Sequence, residues 1–442
     1  MCSIFLTNKP SVDVDAVNRF LRLRGPDHTE VLQRDGLCFI HNLLSINGSF
    51  TVQPFDSDGV VTLYNGEIYN FREFGEFASD GLCLIPLYRD RGALFPQALD
   101  GEFAVITVDF AARSVFFATD IFATKPLYLS IEHGHFGLAS YESALRAAGF
   151  SEVSKVPANC VFRLGLDDLR CMKIGTVYEF STAQYRGDFD AWVDAFERAV
   201  RKRVAGCREK VFIGLSSGYD SGAISLALNE LGQPYHAYSV LGKEREDVLQ
   251  ARGAAMRGGA VHRCITPDET RRARARRYID ANVERLFYKT YSAKGDYNEF
   301  NLALHDDSGA TGLSMVCEQA RADGCKVYLS GQGADEIQSD YGFAGRRIYP
   351  HSNFGGLFPE NLASIFPWPS FFGSSQESYL MKEEHVAGSY GIEARYPFLD
   401  RRVVQEFLAL EHRLKNARYK SALREYLESR AFPTAFDVKI GF

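Results

Sequence analysis

Residues 211 to 222 read Val-Phe-Ile-Gly-Leu-Ser-Ser-Gly-Tyr-Asp-Ser-Gly, an apolar run followed by small hydroxylic residues and glycine around one aspartate. The run predicts a buried strand, and the Ser221–Leu231 stretch after it predicts a helix. A strand that breaks into such a loop and enters a helix aims several backbone N–H groups at one point, which suits an anion. The loop lacks the lysine of the G-x-x-x-x-G-K-S/T phosphate loop and carries Asp220 instead, which points away from a kinase-type grip and toward a magnesium ion. A second segment, Ser330-Gly331-Gln332-Gly333-Ala334-Asp335-Glu336, again delivers serine, glycine and an aspartate after the strand-like run Lys326–Leu329. In an open parallel sheet ligands collect beyond the carboxyl ends of the strands, so the two loops should be neighbours. Asp220 and Asp335 would then share one Mg2+ and neutralise a polyphosphate during attack at phosphorus.

Cys2 is a third candidate. Loss of the initiator methionine would put a thiol and an α-amine on one residue, and an amine with a pKa near 8 can act as base for its neighbouring nucleophile. A cysteine at position 2 is a weak signal by itself. Likewise Asn65-Gly66 alone suits a hairpin turn, and only the Glu-Ile-Tyr-Asn that follows favours a functional reading.

Two different textures must position these residues. Up to about residue 180 the apolar runs are short, turn-punctuated and rich in β-branched and aromatic residues: Ser3–Thr7, Cys38–Ile46, Val60–Tyr64, Phe103–Asp109, Ser114–Ala118 and Pro126–Ile131. This spacing predicts antiparallel strands in a layered β structure with few helices. Beyond Gly187, Asp188–Val204 carries apolar residues at helical spacing, and strand-like runs at Val211, Tyr235 and Val327 alternate with helical segments, the pattern of a parallel sheet with crossover helices. The chain reads as an α+β domain over residues 1–183 followed by an α/β domain over 184–442, in keeping with a length that exceeds one ordinary core.

Composition excludes other classes. A hydrophobic share of 46% and a charged share of 24% suit a folded protein, and a net charge of −6 supplies no basic field for nucleic acid. Five arginines between 271 and 277 read as a solvated helix face, because no aromatic interleaving or wider basic patch accompanies them. No apolar stretch approaches the roughly 20 residues that cross a bilayer, and the N-terminus lacks the pattern of a signal peptide, so the expected setting is cytoplasmic. Nine cysteines without a C-x-x-C pair indicate neither a disulfide framework nor a zinc cluster, and apart from Cys2 most should be buried, inert thiols. His236 and His262 read as structural.

Met1-Cys2-Ser3-Ile4-Phe5, Arg24-Gly25-Pro26-Asp27, Asn65-Gly66-Glu67-Ile68-Tyr69-Asn70, Ser79-Asp80, Gly101-Glu102-Phe103-Ala104 and Lys125-Pro126-Leu127-Tyr128 fall in the order found in class II glutamine amidotransferases. The second half resembles the synthetase domain of the asparagine synthetase family. It does so through the two glycine loops, Gly391-Ile392-Glu393-Ala394-Arg395-Tyr396-Pro397-Phe398-Leu399-Asp400, and Lys420 through Leu423-Arg424 to Lys439-Ile440-Gly441-Phe442. The likeness covers nearly the whole chain. It implies an Ntn-hydrolase-like glutaminase domain joined to a PP-loop synthetase domain, with ATP and Mg2+ required, glutamine as nitrogen donor and a small-molecule carboxylate as acceptor. A homodimer is compatible with it, and neither membrane nor nucleic acid is called for.

By that resemblance Cys2 is the nucleophile, the Asn65 side chain and the Gly66 N–H form the oxyanion hole, and Glu67 and Asp80 hold the α-amino group of glutamine. Ser216, Ser217, Gly218, Asp220 and Ser221 correspond to the pyrophosphate loop. Leu215, Val240, Ser330 and Gly331 belong around the nucleotide, with Asp220 and Asp335 as metal ligands. Lys439 stabilises charge on the phosphates, while Lys420 reads equally as an assisting cation and as a solvated helix position. Glu393 and Arg395 read equally as a substrate-side catalytic pair and as a structural one.

The chain also departs from the pattern. His41-Asn42-Leu43-Leu44-Ser45-Ile46 carries Leu43 where the family has an arginine that clamps the glutamine carboxylate, a loss worth roughly 2–4 kcal/mol unless another cation substitutes. Ser3 and Thr119 replace a family glycine and arginine. Gln332 stands at an acceptor-side position where asparagine synthetases have a glutamate, and a neutral amide orients but cannot act as a base. The alternative implied by these departures is an amide synthetase like the β-lactam synthetases and lasso-peptide cyclases, using an internal amine and keeping a vestigial glutaminase domain. Retention of Cys2, Asn65, Gly66 and Asp80 argues against it.

Overall fold

The computed structural model describes residues 1–242, 244–286, 288–291, 297–300 and 303–436, with backbone alone at 288–291 and 297–300. It divides into two compact units. One comprises Met1–Glu179 with Asn282–Glu284 and Gly388–Ile392, and the other Phe180–Ala281, Arg285–Ala387 and Glu393–Phe442.

The first unit runs β1 (Ser3–Thr7), α1 (Val14–Arg24), β2 (His28–Arg34), β3 (Leu37–Leu43), β4 (Phe55–Ser57), β5 (Val60–Ile68) and α2 (Leu84–Arg91). It continues through β6 (Gly101–Asp109), β7 (Ser114–Thr119), β8 (Tyr128–Glu132), β9 (His135–Ala139), α3 (Glu142–Ala147), β10 (Ser154–Lys155), β11 (Cys160–Gly165) and β12 (Cys171–Thr176). Two six-stranded antiparallel sheets result, in the orders β10-β8-β9-β1-β3-β2 and β12-β11-β7-β6-β5-β4. Strand alternation builds the layers. Ile4 and Leu6 of β1, Leu37 and Phe39 of β3, Val61 and Leu63 of β5 and Ala104 and Ile106 of β6 share one core between the sheets. The other face of the second sheet, through Tyr64, Ile68, Phe103 and Val105, packs on Leu84, Ile85, Leu87 and Tyr88 of α2. With α1 and α3 against the first sheet, the unit is the layered α+β structure expected.

The second unit runs α4 (Asp190–Val204), β13 (Lys210–Gly214), α5 (Tyr219–Glu230), β14 (His236–Val240), α6 (Glu246–Ala255), β15 (Val261–Ile265), α7 (Glu269–Asn282), a two-stranded ladder of β16 (Tyr288–Tyr291) and β17 (Tyr297–Phe300), and α8 (Ser308–Ala322). After these come β18 (Cys325–Leu329), α9 (Ala334–Gln338), a short ladder of β19 (Gly342–Phe343) and β20 (Arg346–Arg347), α10 (Pro369–Phe372), α11 (Ser375–Ser389), β21 (Glu393–Arg395), α12 (Arg401–Ala409), α13 (His412–Lys415) and α14 (Ser421–Ser429). The sheet order β15-β14-β13-β18-β21 is parallel throughout. Strands that follow β13 in sequence lie on one side of it and strands that follow β18 lie beyond β18, so the order reverses between these two. That reversal opens a crevice at their carboxyl ends.

Helix α5 starts at Tyr219, earlier than the sequence suggests, because Gly218 takes the N-cap. The arginine run lies on α7, with Arg272, Arg274, Arg276 and Arg277 exposed and only Ala275 and Ile279 of that helix buried. Three cysteines depart from the expected burial: Cys264 is exposed on β15, the edge strand, and Cys171 and Cys207 are half-buried, whereas Cys38, Cys83, Cys160, Cys317 and Cys325 are buried. Among the described residues no helix is long and apolar enough to cross a membrane.

Candidate functional site

At one end of the first unit the inward-facing rows turn from apolar to polar. The parity that points Ile4 and Leu6 inward also points Cys2 inward; the same holds for His41 on β3, Asn65 and Glu67 on β5, and Glu102 on β6. All five are buried. The backbone register pairs Ser3 with Asn42 and Glu67 with Glu102, which brings these polar ends together within their sheets. Asn65 is fully buried, and neither its Nδ2 nor its Oδ1 has a hydrogen-bond partner among the described residues. An orphaned buried amide is costly, and a donor kept waiting for a ligand is one way such an orphan arises. Asn65-Gly66 lies within β5, not in a hairpin turn. Gly66 has φ 142°, and a Cβ there would stand 1.9 Å from the Glu102 carbonyl oxygen, so only glycine fits.

Glu67 accepts from Asn47 Nδ2 at 2.8 Å, and Asp80 Oδ2 accepts from the Tyr64 hydroxyl at 2.6 Å and the Ile68 N–H at 2.8 Å. His41 stays neutral because burial pushes its pKa down to about 3. Leu43 is buried on β3 in register with His28.

In the second unit a cavity of about 280 Å3 opens at the crevice between β13 and β18, lined by Ser216, Gly218, Asp220 and Ser221 from one loop and Gly331, Gln332, Asp335 and Glu336 from the other. The loops do meet: a Cβ on Gly331 would lie 2.9 Å from Asp220 Cβ. Their carboxylates converge on one cation, Lys420, whose Nζ lies 2.6 Å from Asp220 Oδ1 and 3.0 Å from Asp335 Oδ1. Burial alone would lower the Lys420 pKa, but the two carboxylates outweigh it and hold the ammonium well above its usual range. Lys420 is therefore no solvated helix position. It caps α14 in the left-handed conformation, φ 48°, a strain that its two ion pairs sustain. Two aspartates gathered on one cation fit a magnesium site of the kind completed by substrate phosphates and water.

Three of the loop amides already have partners, which the anion site read from the sequence did not anticipate. Ser216 N–H donates to Ser221 Oγ at 3.0 Å, Gly218 N–H to Ser216 Oγ at 3.2 Å, and Ser217 N–H to Glu244 at 2.6 Å. Arg252, nearly fully buried, ties this loop to the C-terminal segment by donating to the Ser216 and Pro433 carbonyls and to Thr434 Oγ1. Tyr219 adds a 2.6 Å bond to the Phe436 carbonyl. Lys439 lies outside the described residues.

Family models match nearly the whole chain: a glutamine amidotransferase domain over residues 1–185 and asparagine synthase over residues 191–365 and 370–436. The chain belongs to the asparagine synthase family. A Methanocaldococcus jannaschii protein provisionally named a glutamine-hydrolysing asparagine synthetase is 27% identical over 425 residues, 89% of this chain and 72% of the relative. The asparagine synthetase of Gallus gallus is 26% identical over 461 residues, covering 92% and 76% of the two chains. Asparagine synthetase B of Escherichia coli is 23% identical over 432 residues, covering 91% and 74%.

Within this asparagine synthase domain some expected residues stand back from the cavity. Leu215, Ser217, Val240, Ser330 and Glu393 are not among its lining residues. Glu393 is buried on β21, where its Oε1 accepts from Arg395 Nε at 2.7 Å. Asp400 likewise pairs with Lys202 and Arg203, which pull its pKa down to about 2 against the effect of burial. His236 and His262 bond to the Tyr238 and Ser239 hydroxyls, and burial lowers both.

Other residues enter that sequence reasoning passed over. Glu383 of α11 lines the cavity near Ser330, its Oε2 has no partner among the described residues, and burial pushes its pKa up to about 7. Tyr341, Tyr349, His351 and Tyr379 form an aromatic wall, Tyr341 and His351 rings lying 4.2 Å apart. Asp340 fixes that wall by accepting from Ser352 Oγ and from the Asn353 and Phe354 N–H groups. Consecutive left-handed residues at Asp340 and Tyr341 were the local anomaly that marks the loop, and nothing in their residue types announces it.

Proposed function

We propose that the chain is an ATP-dependent, AMP- and pyrophosphate-forming amidotransferase that adenylates an acceptor carboxylate and amidates it with nitrogen from glutamine. The observation that carries this reading is the meeting of Asp220 and Asp335, from two strand-end loops, on a single buried cation beside the Ser216–Ser221 loop.

In the glutaminase unit, the α-amine of a processed Cys2 takes the thiol proton, and the thiolate attacks the side-chain amide carbon of glutamine. The Asn65 Nδ2 and Gly66 N–H donors meet the oxyanion. The carbon–nitrogen bond then breaks as the amine returns its proton to the departing ammonia, and water cleaves the thioester to glutamate. Glu67 and Asp80 supply the negative charge that an α-ammonium group needs.

In the synthetase unit, the phosphates of ATP sit at the 216–221 loop and the first turn of α5, taking the Ser216 and Gly218 amides from the serine hydroxyls that hold them here. An oxygen of the acceptor carboxylate attacks the α-phosphorus and pyrophosphate leaves. A magnesium ion held by Asp220 and Asp335 would neutralise charge on those phosphates, and Lys439 would add to it. Ammonia attacks the acyl carbon, AMP departs, and Glu383 takes the proton from the nitrogen, a task its elevated pKa suits and the Gln332 amide cannot perform. Gln332 is left to orient the acceptor. A cytosolic setting, where ATP and glutamine are supplied and nine thiols stay reduced, fits this chemistry. Incubation with Mg-ATP, glutamine and aspartate, the acceptor implied by the names of the relatives, tests the reading: AMP should form in step with an amide product. ATP cleaved to ADP and phosphate would refute it.

A further inference from the structure

The first unit holds a buried charge pair that glutamine hydrolysis, as derived above, does not use. Lys125, in the segment between β7 and β8, and Glu102, near the start of β6, are 1% and 3% exposed, with charged atoms 3.6 Å apart. Burying two charges costs several kcal/mol per ion, which a pair at that separation only partly returns, so stability alone gives little reason for it. What the pair faces is the N-terminus. Lys125 Nζ lies 3.6 Å from Met1 Sδ. Arg24, fully buried at the end of α1, donates from Nε to the Cys2 carbonyl at 2.9 Å and reaches Met1 Sδ at 3.0 Å with a terminal nitrogen. The Met1 side chain is fully buried and so fills the space beside both cations. Its sulfur is only a few bonds from the Cys2 nitrogen, which places both cations within about 10 Å of the atom that becomes the α-amine when Met1 is removed.

We propose that Lys125, with Arg24 beside it, is a positioning residue of the glutaminase that keeps the α-amine of processed Cys2 unprotonated at neutral pH, with Glu102 as the opposing charge. This rests on the glutaminase reading above. A protonated amine cannot take the thiol proton, and neighbouring cations disfavour the protonated form while an anion favours it. The other groups around this point do not replace the pair. The Tyr141 hydroxyl accepts from Arg24 at 3.1 Å, and His41, on β3, stays uncharged. Glu67, the register partner of Glu102, is bonded by Asn47. Asp120 is fully buried, its pKa raised by that burial, and it accepts from Thr124 Oγ1 and from the Phe103, Phe122 and Thr124 N–H groups. The acidic limb of glutaminase activity should accordingly lie below the pH of about 8 ordinary for an α-amine.

The test uses the full chain, with loss of Met1 verified by intact mass, and follows glutaminase kcat/KM against pH, which reports the base of the free enzyme. Glu102→Gln leaves the cations unopposed and should move the acidic limb down by about one pH unit; Lys125→Met should move it up by about one. The latter is roughly a tenfold loss below the limb that closes toward pH 9, and Lys125→Arg should return the limb toward the wild-type position. A merely structural pair would lower activity in both variants without opposite displacements. If Lys125→Met does not fold, the downward shift in the near-isosteric Glu102→Gln carries the test. Active variants whose limbs do not move as stated overturn the proposal and leave the glutaminase standing. A processed wild-type chain without glutaminase activity at any pH overturns both.

Discussion

Lys420→Met should make the stability of the synthetase unit depend on magnesium. Lys420 is 3% exposed and holds Asp220 and Asp335, which are 26% and 17% exposed, at 2.6 and 3.0 Å. Removing one member of a buried charge group costs about 3–5 kcal/mol, and the partial exposure of both carboxylates places this change near the lower figure. At about 2–4 °C per kcal/mol for a unit of this size, the melting temperature should fall by roughly 6–12 °C in EDTA. A divalent ion at about 100 times its Kd contributes about 2.7 kcal/mol, so saturating Mg2+ should restore most of that loss. Wild-type protein, with a cation already between the carboxylates, should respond much less. Both tryptophans, Trp192 and Trp368, lie in the second unit, so their fluorescence follows its unfolding without the glutaminase. An equal loss in EDTA and in Mg2+ would refute the inference that these aspartates form the metal site.

Further outcomes follow from the same geometry. Cys2→Ala should abolish glutaminase activity and spare amide synthesis from added ammonia, measured by ammonia release and product mass. Asn65→Ala should lower glutaminase kcat by about 10²–10³, the usual effect of losing one oxyanion donor, and ammonia-dependent synthesis should not change. Gly66→Ala should abolish glutaminase activity, because its Cβ would stand 1.9 Å from the Glu102 carbonyl oxygen at φ 142°. Burial pushes the Glu383 pKa up to about 7 and the carboxyl must be ionised to take a proton, so turnover at constant free NH3 should rise as pH increases through that value. Glu383→Gln should remove this limb along with about 10²–10⁴ of the rate, and a variant retaining both would exclude Glu383 as the base.

Local chemistry was legible in the sequence where short segments carry it. An apolar run ending in small residues specifies the strand, loop and helix around Asp220, and alternation over β1, β3, β5 and β6 specifies which side chains enter the core. Asn65-Gly66 shows where local reading needs context: the dipeptide suits a hairpin, yet it lies mid-strand, where the close approach of β6 demands glycine. Lys420 was undecidable because the partner that settles its role, Asp220, is 200 residues away. Glu383 sits between Lys382 and Glu384, a charged triplet that looks solvated until α11 is placed beside the cavity. Cys264 differs from its expected burial for a related reason, since strand position at the sheet edge, not residue type, exposes it.

The proposed reaction couples AMP-forming activation to transfer of glutamine nitrogen. Its most direct test is incubation of the processed protein with Mg-ATP, aspartate and glutamine labelled with 15N in the side-chain amide, read by mass spectrometry. AMP and pyrophosphate should appear in step with a product that carries the label in its new amide. Glutamine hydrolysed to labelled ammonia while ATP yields ADP, or is left intact with every carboxylate offered, would contradict it.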